Sequence, residues 1–161
     1  VEPKLLHETD YQKGFFDVIS MWGVLEHLTD PRPILKQSYE LLADDGVLII
    51  FVPNGHSLVA RILRGYCSTF NGKNHLWYFG PYTLKKMLAE LGYQVTKTYT
   101  LIAQIDEIIN FLNYHSPYEN HNNDEEGVAF EGFHREALKE YIFSNNLGSK
   151  LIVYARKSNA D

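Results

Sequence analysis

Glu26 and His27 stand side by side, directly after an apolar run that ends Ser20-Met21-Trp22-Gly23. An imidazole changes protonation near neutral pH, so His27 is a candidate general base. The same pair could simply cap or orient a following helix. A second cluster, His75-Leu76-Trp77-Tyr78-Phe79, puts an imidazole and a phenol in one short segment. Asn54 follows the most hydrophobic run of the chain, Val47 to Val52, in the turn Pro53-Asn54-Gly55. His115, His121, Asp124 and Glu125 are metal-ligand types, but they lie in a polar stretch without tight ligand spacing, and no metal is expected there. Asp124-Glu125-Glu126 reads as a solvated loop. Cys67 is the one cysteine, so no disulfide can form within the chain, which suits a reducing, cytoplasmic setting.

The elements that must position these residues follow from pattern. Phe15 to Met21 is short, apolar and rich in aromatic and β-branched residues, which predicts a strand buried on both faces. Asp30 suits a helix N-cap and Pro31 the first helical position. Ile34, Leu35, Ser38, Tyr39, Leu41 and Leu42 then form an apolar stripe, with Asp44-Asp45-Gly46 expected to end the helix on a left-handed glycine. Val47 to Val52 is predicted to be a central strand. Leu58, Ile62 and Leu63 could line a short helix within Ser57 to Gly72. Pro81 opens a helix with Leu84, Met87, Leu88 and Leu91 on one face and Gly92 as its cap. Tyr93 to Thr100 reads as a half-exposed strand, Leu101 to Tyr114 as helical, His115 to Gly132 as a long loop, Arg135 to Phe143 as a helix and Lys150 to Arg156 as a last strand. Strands alternating with helices predict an α/β fold, with helices on both faces of the sheet. Ligands in such folds sit at the C-terminal ends of strands, which here are Ser20 to Gly23 and Pro53 to Gly55.

Composition narrows the partners. The 161 residues are 45% hydrophobic and 14% aromatic, ample for one packed domain. A net charge of −5 with dispersed Lys and Arg gives no general attraction for nucleic acid or an anionic membrane. No apolar run approaches a membrane span, and no signal-peptide pattern opens the chain. The chain starts at Val1 rather than Met, which suggests a piece of a longer protein.

The stretch from Phe16 to Pro31, reading FDVISMWGVLEHLTDP, resembles the fourth strand and following turn of class I S-adenosylmethionine-dependent methyltransferases. Three further matches come in the same order. Leu41-Leu42 with Asp45-Gly46-Val47-Leu48-Ile49-Ile50 is similar to the strand-five signature of the family, and Val52-Pro53-Asn54 to its ending. His75 to Phe79 with Thr83-Leu84, Leu88 and Leu91-Gly92-Tyr93 is similar to the segment leading into the next strand.

The resemblance implies a Rossmann-like sheet, here in part: strands four to seven of the family. It implies a single partial domain over 1–161. Residues 1–14 lead in, 15–100 form the methyltransferase core, 101–146 a helical and loop insertion, and 147–157 the final strand. The implied cofactor is S-adenosylmethionine, met by Ser20, Met21, Trp22, Gly23 and Glu26, with Trp22 offering an aromatic face to a sulfonium cation. His27 and His75 are the implied catalytic residues, and Asn54, His75 and Tyr78 the substrate-side ones. The implied partner is a small-molecule acceptor of methyl. The glycine loop of the family's first strand is missing, since no two glycines stand two apart, so this chain alone is expected to be inactive and to bind cofactor weakly. Some relatives carry E-x-x-E-H and hold a divalent metal there; Gly23 replaces the first glutamate, and no metal is expected here either. Two rival readings are a methyltransferase-like binding module without catalysis and a nicotinamide-dependent oxidoreductase, which needs a G-x-G-x-x-G loop that is also absent. An isolated F-D-V-I-S strand lacking its family partner would be an apolar edge, open to self-association, to the missing N-terminal half or to cover by residues 1–14.

Overall fold

The computed structural model describes residues 4, 6–70, 72–120 and 134–158. A seven-residue strand, β1 (Phe16–Trp22), is followed by a single 3-10 turn at Leu25–His27 and then helix α1 (Arg32–Leu41). Strand β2 (Leu42–Pro53), the short helix α2 (Leu58–Leu63), helix α3 (Pro81–Glu90) and strand β3 (Tyr93–Leu101) come next. Helices α4 (Ile105–Leu112) and α5 (Arg135–Ser144) precede the last strand, β4 (Lys150–Lys157).

The four strands form one sheet in the order β1-β2-β4-β3. β1 and β2 run parallel, with Ser20 opposite Ile49 and Trp22 opposite Phe51. β4 lies antiparallel between β2 and β3, so β3 points the same way as β1 and β2. The two apolar runs therefore end side by side, which brings Ser20 to Gly23 and Pro53 to Gly55 to one end of the sheet. The fold is α/β and Rossmann-like.

Strand parity divides the sheet. Ile19, Met21, Leu48, Ile50, Val52, Leu151 and Val153 share one face and meet Leu35 of α1 and Leu84, Met87 and Leu88 of α3 in the main core. Each fully buried leucine there contributes on the order of 1.5–3 kcal/mol. The opposite face carries Val18 and Trp22, which are 56% and 59% exposed. This corrects the expectation of a first strand buried on both faces: β1 is the edge of the sheet, and its second face is uncovered among the described residues.

α1 begins as read. Asp30 Oδ1 accepts the Arg32 amide at 3.0 Å, although Pro31 takes the cap position itself. Its end differs. α1 stops at Leu41, and Leu42 turns straight into β2. Gly46 is not a left-handed helix cap but a buried residue inside β2, where an added Cβ would lie 2.8 Å from the Leu42 side chain. The Asp-Asp-Gly chemistry makes an irregularity within the strand: pairing jumps from Phe16–Leu42 to Val18–Val47. Gly92 does cap α3, at φ +86°. The fourth helix starts later than periodicity suggested, because Leu101 completes β3 and Ile102 and Gln104 take positive φ before Ile105. No helix among the described residues is long and apolar enough to cross a membrane.

Candidate active site at the end of the first strand

The chain leaves β1 through Gly23, at φ +64°, whose amide donates to the Phe51 carbonyl of β2 at 2.9 Å. A left-handed residue at this point favours glycine and turns the chain sharply. The turn delivers Leu25, Glu26 and His27 into one 3-10 turn, with Leu25 and Glu26 buried. The carbonyl of Glu26 accepts the amides of Leu76 at 2.7 Å and Trp77 at 3.2 Å, and Trp77 Nε1 donates to the Leu28 carbonyl at 2.9 Å. These bonds tie the segment after β1 to the segment before α3.

The tie brings three predicted residues together. One donor atom from each of Glu26, His27 and His75 lies within 4.8 Å of the others. The two imidazole rings are 5.0 Å apart, centre to centre. His27 Nδ1 is 2.7 Å from the Asn74 carbonyl, and His75 Nδ1 is 3.1 Å from the Thr69 carbonyl. A carbonyl only accepts, so both Nδ1 atoms carry the proton, and in each neutral ring Nε2 keeps its lone pair. Glu26 is 3% exposed; its Oε1 is 3.8 Å from His27 Nε2, and its Oε2 has no hydrogen-bond partner. An added Cβ at Gly23 would sit 3.5 Å from Glu26 Oε1, which sets the carboxylate against the strand end.

The other named residues are placed differently. Trp22 stacks on Phe51 at 5.2 Å and leaves much of its indole open. Ser20 is exposed on the same face of β1, two residues earlier, while Met21 points into the main core. Tyr78 is 39% exposed and packs edge-on against Phe70. Asn54 is fully buried: its Nδ2 donates to the carbonyls of Asn146 and Gly148, and its Oδ1 accepts the His56 amide. It braces the turn after β2 against the entry to β4. His115 lies exposed beside a concavity of about 680 Å³, lined by Tyr66, Phe111, Leu112 and Tyr114. His121, Asp124 and Glu125 lie outside the described residues. Sequence reasoning paired Glu26 with His27 and named His75 apart from them, but missed that the three form one cluster. It also missed Trp77 as the brace that holds the two segments; the aromatic run from His75 to Phe79 was the available signal.

Comparison with known proteins fits this architecture. A methyltransferase-domain family model matches residues 2–98, more than half of the chain. The chain belongs to the methyltransferase-domain family. A search of curated proteins finds no match. Among solved structures, this methyltransferase chain is similar to a SAM-dependent methyltransferase of Thermotoga maritima described as a possible histamine N-methyltransferase. That match has TM-score 0.59 and 17% identity, over 96% of this chain and 62% of that one. A SAM-dependent methyltransferase of Archaeoglobus fulgidus matches at TM-score 0.53 and 18% identity, over 94% and 63%. Phosphoethanolamine N-methyltransferase 2 of Haemonchus contortus, solved in complex with S-adenosyl-L-methionine, matches at TM-score 0.53 and 14% identity, over 96% and 36%. The chain thus spans under two thirds of the length of each. The shared fold is that of class I methyltransferases, whose cofactor is S-adenosylmethionine.

Proposed function

We propose that this chain forms the acceptor-side wall of an enzyme that moves a methyl group from S-adenosylmethionine to a small-molecule oxygen, nitrogen or carbon nucleophile. The glycine-rich loop that holds the rest of the cofactor then comes from sequence upstream of Val1. The observation that carries this reading is the parallel pair β1 and β2, ending together at the open indole of Trp22, with the Glu26–His27–His75 cluster in the turn that follows β1.

The residues present fit one side of such a cofactor. Trp22 offers an open aromatic surface where a strand ends, which suits a sulfonium cation. Gly23 leaves the backbone uncovered beside it, and Ser20 and Glu26 flank the same strand end. Met21 contributes packing beneath, its side chain being in the core. When bound, S-adenosylmethionine supplies the methyl group, which transfers by in-line displacement. The work left to the protein is alignment and exclusion of water, which together can account for several kcal/mol of barrier. His27 and His75 each commit Nδ1 to a backbone carbonyl, which leaves Nε2 as the atom that could take a proton from an acceptor hydroxyl or amine, with the buried Glu26 in the same cluster. Tyr78 and the half-buried His75 are the residues assigned to the acceptor side. Asn54 supports this site through the β2 turn, with its amide bonded internally. The buried thiol of Cys67 suits a reducing cytoplasm.

The test has two arms. Titrated calorimetrically, the chain alone should bind S-adenosylhomocysteine weakly or undetectably; micromolar affinity would overturn the claim that the cofactor loop lies elsewhere. Joined to its upstream sequence, the protein should turn over S-adenosylmethionine, and Trp22→Ala should raise the KM for it about tenfold. If a joined protein binds cofactor but transfers methyl to no nucleophile, the reading as a non-catalytic binding module takes over.

A further inference from the structure

We propose that Glu26, His27 and His75 form a binding site for a first-row transition-metal dication such as zinc.

Three features of the cluster point to a metal. The first is the state of the imidazoles. Histidines that ligate metals donate their second ring N–H to a carbonyl or carboxylate, which fixes the tautomer and aims the free nitrogen. Both histidines do this, His27 to Asn74 and His75 to Thr69. The second is the carboxylate. Glu26 Oε2 is buried with no hydrogen-bond partner, and Oε1 has only His27 Nε2 at 3.8 Å, beyond hydrogen-bond range. A buried carboxylate oxygen without a donor is costly, and a dication would compensate it. The third is that the scaffold is already closed. The Glu26 carbonyl holds Leu76 and Trp77, so the ligands from two distant segments are juxtaposed by backbone hydrogen bonds.

The donor set selects the ion. Two imidazole nitrogens and one carboxylate oxygen suit zinc and its first-row neighbours; calcium and magnesium prefer oxygen alone. Three protein ligands also match sites that keep an open position for water or substrate. Bonds of about 2.0–2.2 Å place donors roughly 3.4 Å apart around a tetrahedral ion. The donor atoms now lie within 4.8 Å of one another, so an ion would draw them closer, and the 44% exposed side chain of His27 has room to move. The set differs from E-x-x-E-H: Gly23 offers no ligand, and the third donor comes from His75. It departs from the sequence-based expectation of no metal, and nothing in linear spacing relates His75 to Glu26.

The site would change the chemistry proposed above. With an ion in place the two rings are ligands, and the ion lowers the pKa of an oxygen bound at its open position. A hydroxyl or phenol acceptor is then favoured over a carbon one. That consequence rests on the methyltransferase reading, whereas metal binding itself does not, so the two can fail separately.

The test is calorimetric titration of the chelator-stripped chain with zinc chloride, alongside the visible absorption of added cobalt(II). We expect one saturable equivalent, weakened at least about tenfold by His75→Ala, by His27→Ala and by the near-isosteric Glu26→Gln. His134→Ala, at an exposed position before α5, should leave affinity unchanged. Circular dichroism melts report whether each variant is folded. Should Glu26→Gln not fold, nitrogen-15 spectra of the unaltered chain decide: zinc should move Nε2 of His27 and His75 together, with Nδ1 still protonated. No saturable binding up to about 1 mM zinc overturns the site, since that limit corresponds to only about 4 kcal/mol. Affinity unaltered in folded His75→Ala overturns it equally, as do nitrogen-15 shifts confined to other histidines.

Discussion

Tyr93 opens β3 as the largest fully buried side chain, and its hydroxyl donates to the Leu35 carbonyl of α1 at 3.0 Å. Burial pushes its phenol well above the ordinary range, with a smaller contribution from neighbouring Tyr39. The folded state therefore holds the proton more tightly than the unfolded chain. This contribution to stability is complete below pH 10, the ordinary phenol value, and is lost as pH rises through the folded value. Tyr93→Phe keeps the packing and leaves no orphan acceptor, because carbonyls within α1 take helical amides. It should cost about 0.5–1.5 kcal/mol at neutral pH and flatten the loss of stability above pH 10, both measurable by urea titration at several pH values. At this scale the sequence showed the chemistry of single residues and not their company. His27 and His75 were legible as imidazoles beside strand ends. That they share Glu26 depends on backbone bonds between Glu26 and the 76–77 amides, which no periodicity records.

Elements were easier to read than their ends, and two glycines show why. Gly92 follows α3 at φ +86°, and a Cβ there would meet the Tyr39 ring at 3.2 Å. Gly92→Ala should lose about 1–2 kcal/mol through the left-handed backbone alone. Gly46 carries the same local signal, a glycine after polar residues beyond a helix, yet it sits in extended strand. Its constraint is steric: Leu42 Cδ1 and the Ala43 carbonyl lie 2.8 and 3.0 Å from where Cβ would be. Gly46→Ala should cost about 1–3 kcal/mol by overpacking, and a matched Leu42→Ala should relieve part of that in a double-mutant cycle. If the two losses simply add, the contact is not what excludes a side chain. Turn chemistry was thus visible in both places, but pairing with β1 decided which was a helix end. The runs Phe15 to Met21 and Val47 to Val52 were legible because short apolar runs with aromatic and β-branched residues have few other uses. The antiparallel insertion of β4 was not, since pairing direction leaves no mark on a strand of eight residues.

The whole molecule has an asymmetric surface. One sheet face is sealed by α1 and α3, and the strand order ends at β1 with nothing paired beyond it among the described residues. Among the described residues, the lead-in does not pair with that edge. Tyr11 stacks on Phe15 and meets Phe16 edge-on, and the Gly14 amide donates to the Glu40 carbonyl of α1, so this part packs at the start of β1. Val18 and Trp22 then stand exposed on the open face, beside half-buried Val47, Ile49 and Phe51 of β2. A largely apolar strand with a free edge, its one charge being Asp17 near its start, pairs readily with another. The chain should therefore show concentration-dependent mass in sedimentation equilibrium. Val18→Lys should shift it toward monomer, because a charge on the open face opposes edge pairing and touches none of the sealed core. Amide exchange adds a second reading. Protection along β1 should rise with protein concentration in the unaltered chain and stay flat in Val18→Lys. A monodisperse monomer at hundreds of micromolar, with exchange in β1 independent of concentration, would mean that the edge is already satisfied, and the case for a surface that awaits a partner would end there.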